Sequence, residues 1–333
     1  MTRVVEDLNS ALHTLLDRDP RIYVLGEDIA DPYGGAFKVT RGLSTRFPGR
    51  TITAPISEAG ITGVAGGLAL CGNRPIVEVM FADFLAQTFD QLLNFASKSV
   101  SMYGRTVPMH LVVRCASGGR RGYGATHSQS PQKHFIGIPH LQVYEMSPFH
   151  DNLSTFTRML DAGEPCVFFE DKTLYGRRTQ HDRRVDDLFE VRLIDHNHAQ
   201  VYIDEPHIAD VVVIAAGGLA DRAMTAARSV FLESERYSQV IVPSRLYPFD
   251  PEPLLPLLRR AGRVCVAEEG PAGGGWGAEV ARVLHERIWP DLVHPVVAVT
   301  SAAEVIPAAK HLERQVLIQD TDIRAAIEKV LDA

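Results

Sequence analysis

Two short blocks of this sequence combine residue types and spacings suited to chemistry. The first is Pro55-Ile56-Ser57-Glu58-Ala59-Gly60, a carboxylate at the mouth of an apolar stretch rich in glycine and alanine. Ile56, Ile61 and Val64 flank that carboxylate in the sequence. The same residue type at a helix start also fits a carboxylate favoured only by the helix dipole. The second block is the glycine-rich loop Gly118 to Pro131, which ends in His127-Ser128-Gln129-Ser130. Such a loop suits the lining of a site better than a core. Two weaker blocks are Phe81-Ala82-Asp83-Phe84 with Gln87, and Glu268-Glu269-Gly270 with Gly273 to Gly277. Alone, the former fits a core and the latter a strand-to-helix turn, since its spacing fails the dinucleotide pattern GxGxxG.

Several chemistries are excluded by what is missing. There is no GxSxG nucleophile elbow, no HExxH zinc motif among the 13 histidines and no Walker phosphate loop. The four cysteines, Cys71, Cys115, Cys166 and Cys265, form no CxxC pair, so reduced thiols in a cytoplasmic protein are expected. A net charge of −7, from 34 basic and 41 acidic residues, leaves no basic footprint for nucleic acid. No apolar run approaches the ~20 residues that cross a bilayer, so no membrane partner is expected. The first 19 residues alternate Val4, Val5, Leu8, Leu12, Leu15 and Leu16 with acids, as an amphipathic helix rather than a targeting peptide does.

The elements that must position these blocks follow an α/β rhythm. Strands are expected at 21–26, 74–80, 108–113 and 166–169, with helices at 59–70, 85–98 and 152–160 between them. The face of the 85–98 helix would carry Leu85, Phe89, Leu92 and Ala96. From Gly176 to about Pro206 the chain turns polar, as a connecting segment with a short edge hairpin. A second unit then runs through strands at 210–215, 239–242 and 262–267 and helices at 219–233, within 248–260, and at 277–287. Strands alternating with helices predict mainly parallel sheets, and the length predicts two domains of roughly 150 residues.

Taken in order, these segments resemble one family over essentially the whole chain. They are Leu25 to Asp28, Gly34 to Thr40, Pro55 to Gly60, Phe81 to Phe84, Asp90-Gln91, His127 to Pro131 and Glu268 to Glu279. The family is the β subunit of the thiamine-diphosphate-dependent decarboxylating component of 2-oxo-acid dehydrogenase complexes, within the transketolase-like superfamily. Its members serve pyruvate, branched-chain 2-oxo acids and acetoin. The resemblance implies a thiamine-diphosphate pyrimidine-binding domain over 1–190, a linker over 191–204 and a transketolase C-terminal domain over 205–333. It implies that Glu58 hydrogen-bonds the pyrimidine ring nitrogen of thiamine diphosphate and favours its imino form, with Ile56, Ile61 and Val64 expected to desolvate the carboxyl so that it holds the shared proton. Ile56, Met80, Phe84 and Gln87 match neighbouring cofactor-binding positions, Phe84 as the stacking aromatic. His127 matches a catalytic histidine facing the reacting carbon.

The resemblance further implies oxidative decarboxylation of a 2-oxo acid with acyl transfer to a lipoyl domain. No GDG motif for Mg²⁺ and diphosphate is present, so that half of the site is expected on a separate α subunit. An α2β2 heterotetramer, active only when assembled, and a lipoylated acyltransferase are the implied partners. A structural K⁺ site made mainly of backbone carbonyls is expected at Leu111, Leu160, Ala162 and Glu164. The chain departs from the family pattern at Gln132, at Val242-Pro243-Ser244, at Gly270 and near Ala302 to Ile306. The alternative is a transketolase-like β half that transfers an acyl or ketol group to a non-lipoyl acceptor.

Overall fold

The computed structural model describes residues 2–203 and 209–332. The chain divides into two compact units, Met1–Gly118 with Phe135–Thr179, and Gly119–His134 with Gln180–Ala333. Both carry a mainly parallel sheet flanked by helices.

In the first unit the strands are β1 (Ile22–Gly26), β2 (Thr51–Thr53), β3 (Arg74–Val79), β4 (Val112–Ser117), β5 (Gln142–Glu145) and β6 (Cys166–Asp171). They pair in the order β5-β6-β4-β3-β1-β2, every neighbour parallel. Helix α1 (Val4–Arg18) buries Val4, Leu8, Leu12, Leu15 and Leu16 against this sheet's core, as its 3–4 spacing requires. Helix α2 (Glu58–Leu70) follows the first chemical block, and α3 (Asn152–Asp161) opens on the Asp151 carboxylate, which accepts from the Ser154 N–H at 2.7 Å.

Two local expectations need correction. The strand expected at 108–113 begins only at Val112 and continues through Arg114 to Ser117. The apolar run leads into it, but a buried arginine with partners on both neighbouring strands lets the ladder extend past that run. The expected helix over 85–98 is a 3₁₀ turn (Ala82–Thr88), a π turn (Gln91–Ala96) and one α turn (Ser97–Ser99). Leu85, Leu92 and Ala96 are buried there, while Phe89 is only partly so. The irregularity goes with tight packing: a Cβ on Gly66 of α2 would stand 2.4 Å from the Phe95 ring. Strand β5 carried no apolar signal strong enough to be read.

The second unit holds β7 (Glu190–Leu193), β8 (His198–Tyr202), β9 (Val211–Ala215), β10 (Ser238–Pro243), β11 (Val264–Pro271) and β12 (Val297–Ser301). Their order is β12-β11-β9-β10-β8-β7. The four strands from β12 to β10 are parallel, and β8 and β7 add an antiparallel hairpin at one edge, as expected for the polar connecting segment. The end of that segment, including Pro206, lies outside the described residues. Helices α4 (Leu219–Ser234), α5 (Leu255–Ala261) and α6 (Trp276–Ile288) match the expected positions. Helices α7 (Lys310–Val316) and α8 (Asp320–Leu331) were not anticipated. No helix among the described residues is long and apolar enough to cross a membrane.

Candidate active site

Glu58 is the first residue of α2, separated from β2 by residues 54–57, and only 4% exposed. Glu27 closes β1 and is itself 8% exposed, with its Oε1 buried and without a hydrogen-bond partner. Burial pushes the Glu27 carboxyl above the ordinary range, and the charges of Glu58 and Asp28 push it further. Both carboxyls stand at the carboxyl end of a parallel sheet, where α/β folds place their ligands. Glu27 escaped attention in the sequence because a single acid at a strand end has no distinguishing spacing.

The other expected cofactor positions lie in the same unit. Ile56 is 82% exposed, Phe84 and Met80 are half-buried, and Gln87 is exposed. Phe84 sits in the 3₁₀ turn, its N–H bonded to the Phe81 carbonyl at 3.0 Å. Ile56 and Val64, expected to help bury Glu58, are themselves open, so other residues of the unit exclude water from it. The buried Glu58 carboxyl and the unpartnered Glu27 oxygen are groups that can hydrogen-bond an aminated heteroaromatic ring, and the exposed Ile56 and half-buried Phe84 offer apolar surface in the same unit. No group of three or more His, Cys, Asp or Glu that could hold a metal occurs among the described residues.

His127 belongs to the second unit, on a loop strapped to that unit at several points. The Gly119 N–H donates to Glu269 Oε1 at 2.9 Å, and Arg120 N–H to Glu313 Oε1 at 2.7 Å. The Arg120 guanidinium donates to the Ile318 carbonyl at 2.6 Å and pairs with Glu269 at 3.0 Å. Lys133 Nζ reaches the carbonyls of Pro271 and Gly273, both at 3.1 Å. Gly119 is required here, since a Cβ would stand 2.4 Å from Leu317 Cδ1. Glu269, read in the sequence only as part of a turn, is thus one of the anchors of the histidine loop. Its neighbour Glu268 accepts from the Trp276 N–H at 2.8 Å, holding the start of α6.

The residues expected to hold potassium lie along one backbone seam. The Leu111 carbonyl accepts from Cys166 N–H at 2.8 Å, Met109 N–H donates to the Gly163 carbonyl at 2.9 Å, and His110 Nδ1 lies 2.6 Å from the Leu160 carbonyl. Each carbonyl keeps a second lone pair, and the end of α3 adds its partial negative charge. The Glu164 carboxylate is engaged by His140 and Gln142, both at 2.9 Å.

Comparison with known proteins decides the family. The profile of the transketolase pyrimidine binding domain matches residues 3–178, and that of the transketolase C-terminal domain matches residues 199–323. The pyruvate dehydrogenase E1 component subunit beta of Leifsonia xyli is 32% identical over 308 residues, 92% of this chain and 88% of that protein. The chain belongs to that family. Among its other β subunits, the mitochondrial 2-oxoisovalerate dehydrogenase subunit beta 2 of Arabidopsis thaliana is 33% identical over 294 residues, covering 87% of this chain and 78% of that one. In fold, a chain described as a split gene transketolase, an inactive beta4 tetramer, superposes with a TM-score of 0.74. That match has 23% identity and covers 98% of this chain and 97% of that chain. The β-subunit family of 2-oxo-acid dehydrogenases works in general with thiamine diphosphate, and this chain is such a β subunit.

Proposed function

We propose that Glu58 and His127 are the catalytic residues this β subunit contributes to the decarboxylation of a 2-oxo acid. The observation that carries the reading is a nearly fully buried carboxyl, Glu58, at the start of α2 with a second buried acid beside it. Glu58 offers its carboxyl group to a ring nitrogen of thiamine diphosphate and holds the shared proton there. Ile56, Met80, Phe84 and Gln87 would help hold the cofactor's pyrimidine ring, Phe84 as the stacking aromatic, and the burial of Glu58 keeps bulk water from its carboxyl group. Thiamine diphosphate, when bound, supplies the electron sink that decarboxylation needs. His127 moves a proton at the substrate during decarboxylation or acyl transfer.

The chain carries no acidic motif for Mg²⁺ and diphosphate, which supports an α subunit as their holder and an α2β2 assembly as the working enzyme. A lipoylated acyltransferase is the proposed acceptor, and K⁺ the proposed ion on the Leu111, Leu160, Ala162 and Glu164 seam. The test combines the chain with its α subunit, thiamine diphosphate, Mg²⁺ and a panel of 2-oxo acids, scoring decarboxylation and lipoyl acylation separately. Glu58→Ala should cost at least 10²-fold in decarboxylation with the assembly intact by gel filtration. Retained activity would remove Glu58 from the mechanism. Decarboxylation without lipoyl transfer would point to a non-lipoyl acceptor instead.

A further inference from the structure

His127 sits on a loop that no apolar side chain pins down. From Gly119 to His134 the buried residues are Gly119, Gly124 and Ser128, and every larger apolar side chain of the stretch is exposed or only partly covered. A cavity of about 450 Å³ adjoins the loop, lined by Gln129, Ser130, Lys133 and His134 and by Ala303 and Val305 after β12. Burial of apolar surface therefore contributes little to holding this loop, and directed polar contacts hold it instead.

One carboxylate makes such contacts at both ends of the stretch. Glu269 Oε1 accepts from the Gly119 N–H at 2.9 Å and from the Ser130 hydroxyl at 3.4 Å, while Oε2 pairs with the Arg120 guanidinium at 3.0 Å. Gly119 and Arg120 open the loop, and Ser130 closes the run His127-Ser128-Gln129-Ser130. Bringing both ends onto one anchor removes much of the freedom that the segment between them would have. Glu313 of α7 takes only the Arg120 N–H, at the loop's entry. Arg120 itself holds φ +71°, a left-handed backbone that a long L side chain rarely adopts, and its N–H and guanidinium bonds keep it there.

The anchor is itself fixed. The Glu269 side chain is 9% exposed. Pairing of β11 with β12 shifts register between Ala267 and Pro271, an irregularity of the kind that re-aims side chains at a strand end. Glu268 there serves the Trp276 N–H, and Glu269 serves the loop. Lys133 in turn grips the carbonyls of Pro271 and Gly273, just past the acid. Gly270 permits this close approach, since a Cβ there would stand 3.3 Å from the Ser130 carbonyl oxygen.

We propose that Glu269 is a positioning residue for His127, fixing both ends of the histidine loop so that the imidazole is held in one place for proton transfer. Its bearing on catalysis rests on the role proposed for His127, whereas the fixing of the loop can be read without any activity. A loop released from Glu269 keeps its imidazole but presents it in many positions. Misplacing a reacting group by about 1 Å can cost on the order of a hundredfold in rate.

Hydrogen–deuterium exchange of the full chain, read on peptides covering 119–134, tests the anchor. Glu269→Ala should speed exchange there by about tenfold or more, the effect of losing one hydrogen bond to a charged group. Peptides from β9 should keep the wild-type rate. Glu269→Gln retains the shape and an acceptor oxygen, so it should restore part of the protection, and it keeps the test alive should Glu269→Ala not fold. Wild-type exchange over 119–134 in both variants overturns the proposal. In the enzyme assembled with its α subunit, thiamine diphosphate and Mg²⁺, Glu269→Ala should lower kcat by about tenfold to a hundredfold and leave KM within about twofold. In a His127→Ala background the same change should cost less than about twofold, because no imidazole remains to be positioned. An equal loss in both backgrounds would mark a merely structural effect and overturn the proposal. Undiminished turnover in His127→Ala alone would instead remove the function proposed for His127, and the exchange rates would still decide whether Glu269 fixes the loop.

Discussion

The two sheets of this chain are built on the same parallel plan yet fill their interiors differently. In the first, the central strands β3, β4 and β6 bury Glu78, Arg114 and Glu170 among their apolar residues. In the second, the corresponding central strand β9 is Val211-Val212-Val213-Ile214-Ala215, and β11 begins Val264-Cys265-Val266-Ala267, all fully buried. Buried ions are poor stabilisers, because desolvation cancels most of their attraction. The apolar centre of the second sheet is what packing alone selects, and its buried polar side chains on β8 and β10, His198, Gln200, Ser238 and Gln239, are uncharged or titratable groups rather than an ionic cluster. The first departs from it on three adjacent strands, β3, β4 and β6, in the unit that carries Glu27 and Glu58.

The sharpest way to break this contrast is Arg114→Leu. It strands Glu78 and Glu170 without their cation, and the expected loss is about 3–5 kcal/mol in denaturant unfolding of the chain. Replacing Arg114, Glu78 and Glu170 together by apolar residues of similar volume should recover most of that stability. Were the single change to cost under about 1 kcal/mol, the cluster would not be the desolvated network described here. In the second sheet's unit, Leu258→Ala in α5 removes a fully buried side chain and should cost about 2–5 kcal/mol. That variant should leave the Glu27 titration where it was, because it touches no charge.

The difference between the sheets was only half visible in the sequence. Apolar runs such as Val211 to Ala215 announce buried strands, and the small residues of α2 announce a packed helix, so the α/β plan could be read directly. Glu78, Arg114 and Glu170 could not be read as partners, because 36 and 56 residues of chain separate Arg114 from the two acids it bonds. Strand order alone brings them together, and order is a long-range property. Glu58 and His127 stood out because a family pattern carries them, whereas Glu27 needed its burial to be noticed. The anchoring of the His127 loop by Glu269 and Glu313 was hidden for the same reason, with one partner lying in a helix the sequence did not announce.

Titration sharpens the comparison further. Glu27 and Glu78 have folded-state proton affinities above their unfolded values, so folding takes up protons as they titrate. Their contribution to stability is fully present below the ordinary carboxylate range and is lost as pH rises through the folded midpoints. The loss reaches about 1.4 kcal/mol per pH unit for each group while it titrates. Thermal or denaturant unfolding followed across that range should show the decline. Glu27→Gln should flatten it by one group's share, and a slope unchanged in that variant would place the responsible proton elsewhere.

The smallest effects come from two residues held at positive φ. Glu235 closes α4 at φ +55°, its N–H bonded to the Phe231 carbonyl, and Asp28 follows Glu27 at φ +52°. An L-residue in this region is strained by roughly 1–2 kcal/mol, and glycine relieves that while adding freedom to the unfolded chain. Glu235→Gly should therefore stabilise the chain by a few tenths to about 1 kcal/mol and leave the titration of Glu27 unmoved. Asp28→Gly makes the same backbone change next to the acidic cluster and also deletes a charge that faces Glu27. The Glu27 midpoint should fall, by an amount that solvent screening of the exposed Asp28 side chain keeps small. An unmoved Glu27 midpoint in Asp28→Gly would mean that burial and the Glu58 charge, without Asp28, set where that acid titrates.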